Sequence, residues 1–366
     1  RLSSFSYRNR MKFDNQHQTR HVDTADIDGN MKISNRNSQY AYVTLMSGID
    51  RNYKYRGFLY NALIMNRALR LANSTADFIV LIGYSDDSDT AIFDSDLELL
   101  RSHGILIYIL PRLVHSSHKL TFAEMALLKI TPWNFTQYSR IQFFDGDIMP
   151  TANMDCFFRS NYNMFTAGLV SPLNSGWYLA IPNSAAFESM RERAIWRLQR
   201  DWDEKRGWGV VMPSSITYRG GKPVKKWLFN GADMDQGLLT HHFIVSHGEA
   251  VLIDTETHTA QRYEQGVLHT PPIKITAREA TDMCHGRSPV SYFVHFTGKK
   301  KPWMVDPKLL HSKKKGSSLV KWAMHLDALH LPVNSTTVSS LRLGSPLGFF
   351  NHNFPKGGFQ HPPDQS

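Results

Sequence analysis

The chain has 366 residues, 42% of them hydrophobic and 20% charged, with a formal net charge of +10. That composition fits a globular protein with a sizeable core, and no stretch approaches the ~18 uncharged apolar residues of a membrane-crossing helix. The positive charge is scattered, and its densest runs, Lys299–Lys301 and Lys313–Lys315, lie beside no nucleic-acid motif. Local binding of phosphate is therefore expected, and binding of nucleic acid is not.

Residues 1–38 are polar and rich in Asn, Ser, Arg and Gln, which predicts a stem or disordered extension. Residue 1 is Arg rather than Met, so a signal peptide or membrane anchor upstream would fall outside this sequence. The pattern changes at Tyr40. Ala41–Met46 reads as a buried strand, Gly48–Asn52 as a loop, and Tyr55–Ala72 as a helix with Phe58, Ala62, Met65 and Leu69 along one side. Asp77–Ile82 reads as a second strand, Ile92–Ser102 as a helix, and Ile105–Leu110 as a third strand. Thr121-Phe122-Ala123-Glu124 has the form of a capping box and predicts a helix carrying Met125, Leu128 and Lys129. Ile141–Phe144 is a fourth strand. Strands alternating with helices predict βαβ units, hence an α/β, Rossmann-like fold with a mostly parallel central sheet flanked by helices.

Past Asp147 the character shifts to loops and shorter strands, with a Trp-, Gly- and Lys-rich insertion over about 201–230. Three parts are expected: the extension, one domain over 39–310 that contains the insertion, and a basic, low-complexity tail over 311–366. Within that tail Ser318–Leu331 has a helical pattern, and the stretch from Gly344, rich in Gly, Pro and His, has too few aliphatics for a core.

Four segments carry chemistry. Asp145-Gly146-Asp147 places two carboxylates at i and i+2 just past a buried strand, where both can face one divalent cation. Six D-x-D triplets occur, starting at Asp26, Asp87, Asp94, Asp145, Asp201 and Asp233, but only Asp145 follows a strand as apolar as Ile141–Phe144. Ligands of open α/β sheets bind at the carboxyl ends of strands. The second segment, His295-Phe296-Thr297-Gly298-Lys299-Lys300-Lys301-Pro302-Trp303, offers an imidazole as third ligand and a lysine for a diphosphate. Asn174-Ser175-Gly176 suits sugar hydroxyls or a turn equally well. Asp233-Met234-Asp235-Gln236-Gly237-Leu238-Leu239 offers a carboxylate beside an amide, or else an Asp-capped helix start.

The order of apolar strand, D-x-D, N-S-G, D-Q-G-L-L and H-F-x-G-x-x-K-P-W resembles glycosyltransferase family 8, the glycogenin-like nucleotide-diphospho-sugar transferases, from about Tyr40 to Trp303. The resemblance implies a GT-A fold and a retaining hexosyltransferase that moves a hexose or hexuronic acid from a UDP-sugar. It implies Asp145, Asp147 and His295 as ligands of Mn²⁺, or of Mg²⁺. Lys129, Gly146, Gly298 and Lys301 would contact the donor's sugar or phosphates. Asn174, Ser175, Asp235 and Gln236 would line the sugar pocket, with Asp235, Gln236 and Lys301 catalytic, and Val43, Thr44 and Leu45 would sit by the base. Self-glucosylating members present a tyrosine shortly before the histidine motif. Ile273–Pro289 holds none, so a separate glycan, lipid or protein acceptor is implied.

Two other classes compete. A nucleotidyltransferase would show a Gly-rich phosphate loop after the first strand, and Met46-Ser47-Gly48-Ile49-Asp50 is too glycine-poor. An inactive sugar-nucleotide-binding or scaffold protein would not need every ligand together with Lys301. The two cysteines, Cys156 and Cys284, read as unpaired thiols more readily than as a bridge. Sequons at Asn73, Asn134 and Asn334 lean the compartment toward the Golgi or secretory lumen, with the cytoplasm and a homodimeric state left open.

Overall fold

The computed structural model describes residues 38–49, 55–84, 92–110, 112–114, 121–168, 173–203, 207–208, 233–247, 250–253, 260–263, 273–275, 284, 288–297, 301–304 and 317–331. In chain order the first half is β1 (Tyr40–Ile49), α1 (Arg56–Leu71), β2 (Asp77–Tyr84), α2 (Asp94–Ser102), β3 (Leu106–Leu110), α3 (Phe122–Leu127) and β4 (Arg140–Phe144). These are the elements the periodicity predicts; the end of β1, expected at Met46, lies at Ile49. The second half adds β5 (Ile148–Pro150), β6 (Asn163–Ala167), β7 (Leu173–Ala180), α4 (Ser184–Leu198), α5 (Asp235–Thr240), β8 (Ala250–Ile253), β9 (Ala260–Tyr263), β10 (Ile273–Ile275), β11 (Phe293–His295) and α6 (Ser318–Asp327).

The main sheet has nine strands in the order β10-β9-β8-β6-β7-β4-β1-β2-β3. β1 to β4, β6, β8 and β10 run one way, and β7 and β9 run the other. The mostly parallel α/β expectation therefore holds. Both faces are covered, which is why the strands read as continuous apolar runs. Along β1, Tyr42 and Met46 join one buried cluster with Leu59 and Leu63 of α1, while Ala41, Val43 and Leu45 join the other with Trp133 and Tyr178.

The capping box forms as expected: Thr121 accepts from the Glu124 amide, and Glu124 accepts from the Thr121 amide. The helix it opens is shorter than the sequence suggests, because it gives way to a 3₁₀ turn over Leu128–Asn134 that contains Pro132. Proline has no amide hydrogen to bond the Leu128 carbonyl, and the Thr131 hydroxyl donates to that carbonyl instead at 2.7 Å.

A small second sheet pairs β5 with β11 antiparallel, setting His295 opposite Ile148. The expected boundary at 310 is not where packing ends. Helix α6 lays buried Trp322 against Trp303 and α1, and the Trp322 indole donates to Asn61 Oδ1 at 2.8 Å. A buried aromatic ring with a partner for its N–H anchors the helix. In the expected insertion, Trp208 is fully buried beside Trp202, and these two rings pack onto the core. Tyr218, the residues before 38 and the tail from Gly344 lie outside the described residues.

The reading of two thiols is overturned. Cys156 and Cys284 form a disulfide, with Cα atoms 5.4 Å apart and a sequence separation of 128. Periodicity and spacing carry no signal for such a long-range pair. The bridge ties the segment leading into β11 to the turn that follows β5, and Tyr292 reinforces it by donating to the Cys284 carbonyl at 3.0 Å. Closing so long a loop restricts the unfolded chain. Replacing both cysteines by serine is expected to lower the unfolding free energy by about 2–5 kcal/mol, measured by denaturant titration under non-reducing conditions.

Candidate active site

The site stands at the carboxyl ends of β1 and β4. The Asp145 amide donates to the Gly176 carbonyl of β7 at 2.8 Å, and the Ile148 amide donates back to the Asp145 carbonyl at 3.0 Å. Asp145 to Ile148 is thereby folded into a tight turn with both carboxylates projecting. Gly146 is required there, because a Cβ would meet the Phe58 ring at 2.6 Å. His295 arrives from the second sheet. The Phe296 amide donates to the Asp147 carbonyl at 2.9 Å, clamping the histidine strand beside the acidic turn. Gly176 leaves room for that imidazole; a Cβ there would lie 2.6 Å from His295 Cε1.

Six ionisable groups meet in this corner. His295 Nε2 is 3.0 Å from Asp147 Oδ1 and 3.9 Å from Asp145 Oδ2. Lys301 donates to Asp147 Oδ2 and, at 2.8 Å, to the Phe296 carbonyl. Lys129 stands between Asp145 at 2.7 Å and Asp235 at 3.0 Å. The hydroxyl of Ser175 donates to Asp235. Burial works against the charged form of Asp147, but the hydrogen bond and charge of His295 and the charge of Lys301 outweigh it and hold its pKa at about 2. Burial likewise disfavours the Lys129 ammonium, yet the charges of Asp145 and Asp235 win and raise its pKa. The imidazole of His295 is raised despite its burial, through its hydrogen bond to Asp147. Asp145 differs: burial holds its carboxyl above the ordinary value against the pull of Lys129.

All of these groups except His295 line a cleft of about 270 Å³. Of the expected site residues, Leu45, Lys129, Asp145, Gly146, Asp147, Asp235, Gln236 and Lys301 line it. Ser175 stands behind Asp235, and Asn174 turns inward to accept from the Gly176 amide at 2.7 Å. Val43 and Thr44 are fully buried in the sheet, away from the cleft lining, because the side chains of consecutive strand residues point into its two packed faces. Gly298 lies outside the described residues. Asp235 opens α5, but it bonds Lys129 and Ser175 and does not cap the helix. Asp233 pairs with Arg197 of α4 at 3.0 Å.

The donor set fits a divalent cation. One ligand atom from each of Asp145, Asp147 and His295 lies within 4.8 Å of the others. Donors each ~2.0–2.6 Å from a shared ion stand at most ~5 Å apart.

One residue of the site was invisible in the sequence. Asn61, buried within α1, donates to the carbonyls of Gly146 and Ile148, both at 2.8 Å. It thus grips the acidic turn from behind, while its own oxygen accepts from Trp322. An asparagine in an amphipathic helix gives no sign of such a role; only an apolar face interrupted by a buried amide hints at it.

No protein-family model matches the chain. It is 21% identical over 265 residues to a protein of Arabidopsis thaliana assigned as UDP-glucuronate:xylan alpha-glucuronosyltransferase 3, covering 72% of this chain and 34% of that protein. It is 27% identical over 174 residues to inositol phosphorylceramide glucuronosyltransferase 1 of the same plant, covering 46% of this chain and 29% of that protein. The chain thus spans about a third of the length of these curated relatives. Among solved structures, it is similar to the galactosyltransferase LgtC in complex with donor and acceptor sugar analogues, with 11% identity, a TM-score of 0.44, and 82% of this chain and 99% of that chain covered. It is also similar to the glycosyltransferase GlyE of Streptococcus pneumoniae, with 15% identity, a TM-score of 0.40, and 81% of this chain and 61% of that chain covered.

Loss of a group that orients metal ligands costs ~10–100-fold in metal affinity. Asn61→Ala is expected to weaken Mn²⁺ binding on that scale, whereas Trp322→Phe, which keeps both carbonyl contacts, should leave it within a few-fold. Paramagnetic-resonance titration of free Mn²⁺ measures both.

Proposed function

We propose that the protein is a metal-dependent, retaining glycosyltransferase of the GT-A kind. It moves a hexose or hexuronic acid from a UDP-sugar to the hydroxyl of a separate acceptor. The observation that carries this reading is the meeting of Asp145, Asp147 and His295 at the carboxyl end of β4, beside a cleft that Lys301 and Gln236 also face. Such a corner suits a diphosphate, whose charge needs both a divalent ion and a fixed ammonium.

Asp145, Asp147 and His295 would hold the ion. When bound, it supplies Lewis-acid stabilisation of the departing diphosphate. Lys301, already fixed between Asp147 and the Phe296 carbonyl, supplies a preorganised positive charge on the same side. Leu45 and Met46 offer an apolar wall to the nucleotide. Asp235, oriented by Ser175 and Lys129, accepts from sugar hydroxyls, and the Gln236 amide steadies charge developing at the anomeric carbon. The amide is too weak a nucleophile to form a glycosyl intermediate. Retention then calls for the acceptor hydroxyl to attack from the face the diphosphate leaves, its proton passing to the departing phosphate oxygen. Both plant relatives are named as glucuronosyltransferases, so UDP-glucuronate heads the donors to be tried.

A donor-hydrolysis screen over UDP- and GDP-sugars with Mn²⁺ tests the reading. Asp147→Asn is expected to abolish hydrolysis in a protein that still folds by circular dichroism; turnover that persists in that variant or in excess chelator would overturn it.

Lys301→Ala should lower kcat by ~10²-fold or more, the scale of losing one preorganised charge-stabilising group. A rise confined to the acceptor KM would instead place Lys301 on the acceptor side. Radiolabelled donor in the same assay should leave no stoichiometric label on the chain itself.

A further inference from the structure

We infer that Asn73 and Asn134 carry N-linked oligosaccharides, acquired in an oxidising lumen, on the edge of the sheet opposite the cleft. Asn73-Ser74-Thr75 and Asn134-Phe135-Thr136 both have the acceptor form N-x-[ST]. Both asparagines are exposed, as are Thr75 and Thr136, whereas the middle residues Ser74 and Phe135 are buried. Each triplet thus presents its asparagine and its threonine and hides the residue between them. Asn73 stands in the left-handed region at φ 61° just after α1, in a tight turn. That conformation alone would account for an asparagine, but not for an exposed hydroxyl two residues on, nor for the same arrangement at Asn134.

Topology places the two together. Asn73 leads into β2 and Asn134 into β4, and the strands start side by side: Ala41 of β1 is paired with Asp77, and Tyr40 with Arg140. The two connections touch, Tyr138 donating to Asp77 at 2.9 Å. The cleft lies at the other end, where Ser47 and Asp145 line it. Six residues of β1 separate the two ends, ~20 Å at the rise of a strand. Glycans at both positions would clear substrate entry.

The compartment is argued independently. The disulfide between Cys156 and Cys284 persists in secretory and extracellular environments and is rare in the reducing cytosol, and N-glycosylation takes place in the same lumen. In the reaction, Nδ2 of each asparagine forms a bond to the anomeric carbon of a lipid-pyrophosphate-linked oligosaccharide. The bond from that carbon to pyrophosphate breaks, the lipid pyrophosphate leaves, and the amide loses one proton to the transferring enzyme.

The test uses the full-length protein made in eukaryotic cells, with Asn334→Gln introduced so that the third sequon contributes nothing. Digestion by a peptide N-glycosidase should lower its mass by two glycans, and Asn73→Gln and Asn134→Gln should each remove one. Alkylation without reductant should modify neither cysteine. A mass that the glycosidase does not change, or free thiols at both cysteines, would overturn the inference. A glycan on one asparagine alone would overturn the assignment of the other.

Discussion

Carboxylates that crowd one corner of an otherwise apolar sheet repel one another, and the rest of the site follows from how the fold offsets that repulsion. Asp145, Asp147 and Asp235 face two ammonium groups and one imidazole, shared rather than paired one to one. Lys129 serves two carboxylates, and Asp147 gives one oxygen to a histidine and the other to a lysine. Such sharing costs desolvation of every member and is worthwhile only when geometry holds all of them. The geometry is supplied by backbone: the 3₁₀ turn that carries Lys129, the clamp from Phe296 to Asp147, and the grip of Asn61.

The imbalance within the cluster distinguishes its members. Asp147 is held well below the usual carboxylate range by two cationic neighbours, while Asp145 is pushed upward by burial. Lys129, at 2.7 Å, pulls against that burial without overcoming it.

The alternation of strands and helices up to Phe144 was legible because each element buries a face wide enough to show its period. So was the D-x-D turn, since an unusually apolar strand precedes it. The sequence could not separate Val43 and Thr44, sealed in the sheet, from Leu45, which reaches the cleft; the distinction depends on where the strand leaves its neighbours. Nor could it show that Asn174 would turn back upon the Gly176 amide. The disulfide, the burial of Trp322 and the hold of Asn61 on the acidic turn are contacts between segments far apart in sequence. Local composition is silent about those.

The bond from Trp322 to Asn61 also has a consequence in time. Its partners are 261 residues apart, and a ribosome adding ~5–20 residues per second emits them tens of seconds apart. The sheet, the acidic turn and the histidine strand are all synthesised before the indole that fastens the asparagine behind them. The nascent protein thus passes through an interval in which Asp145, Asp147 and His295 have all been made but the brace behind the acidic turn is incomplete.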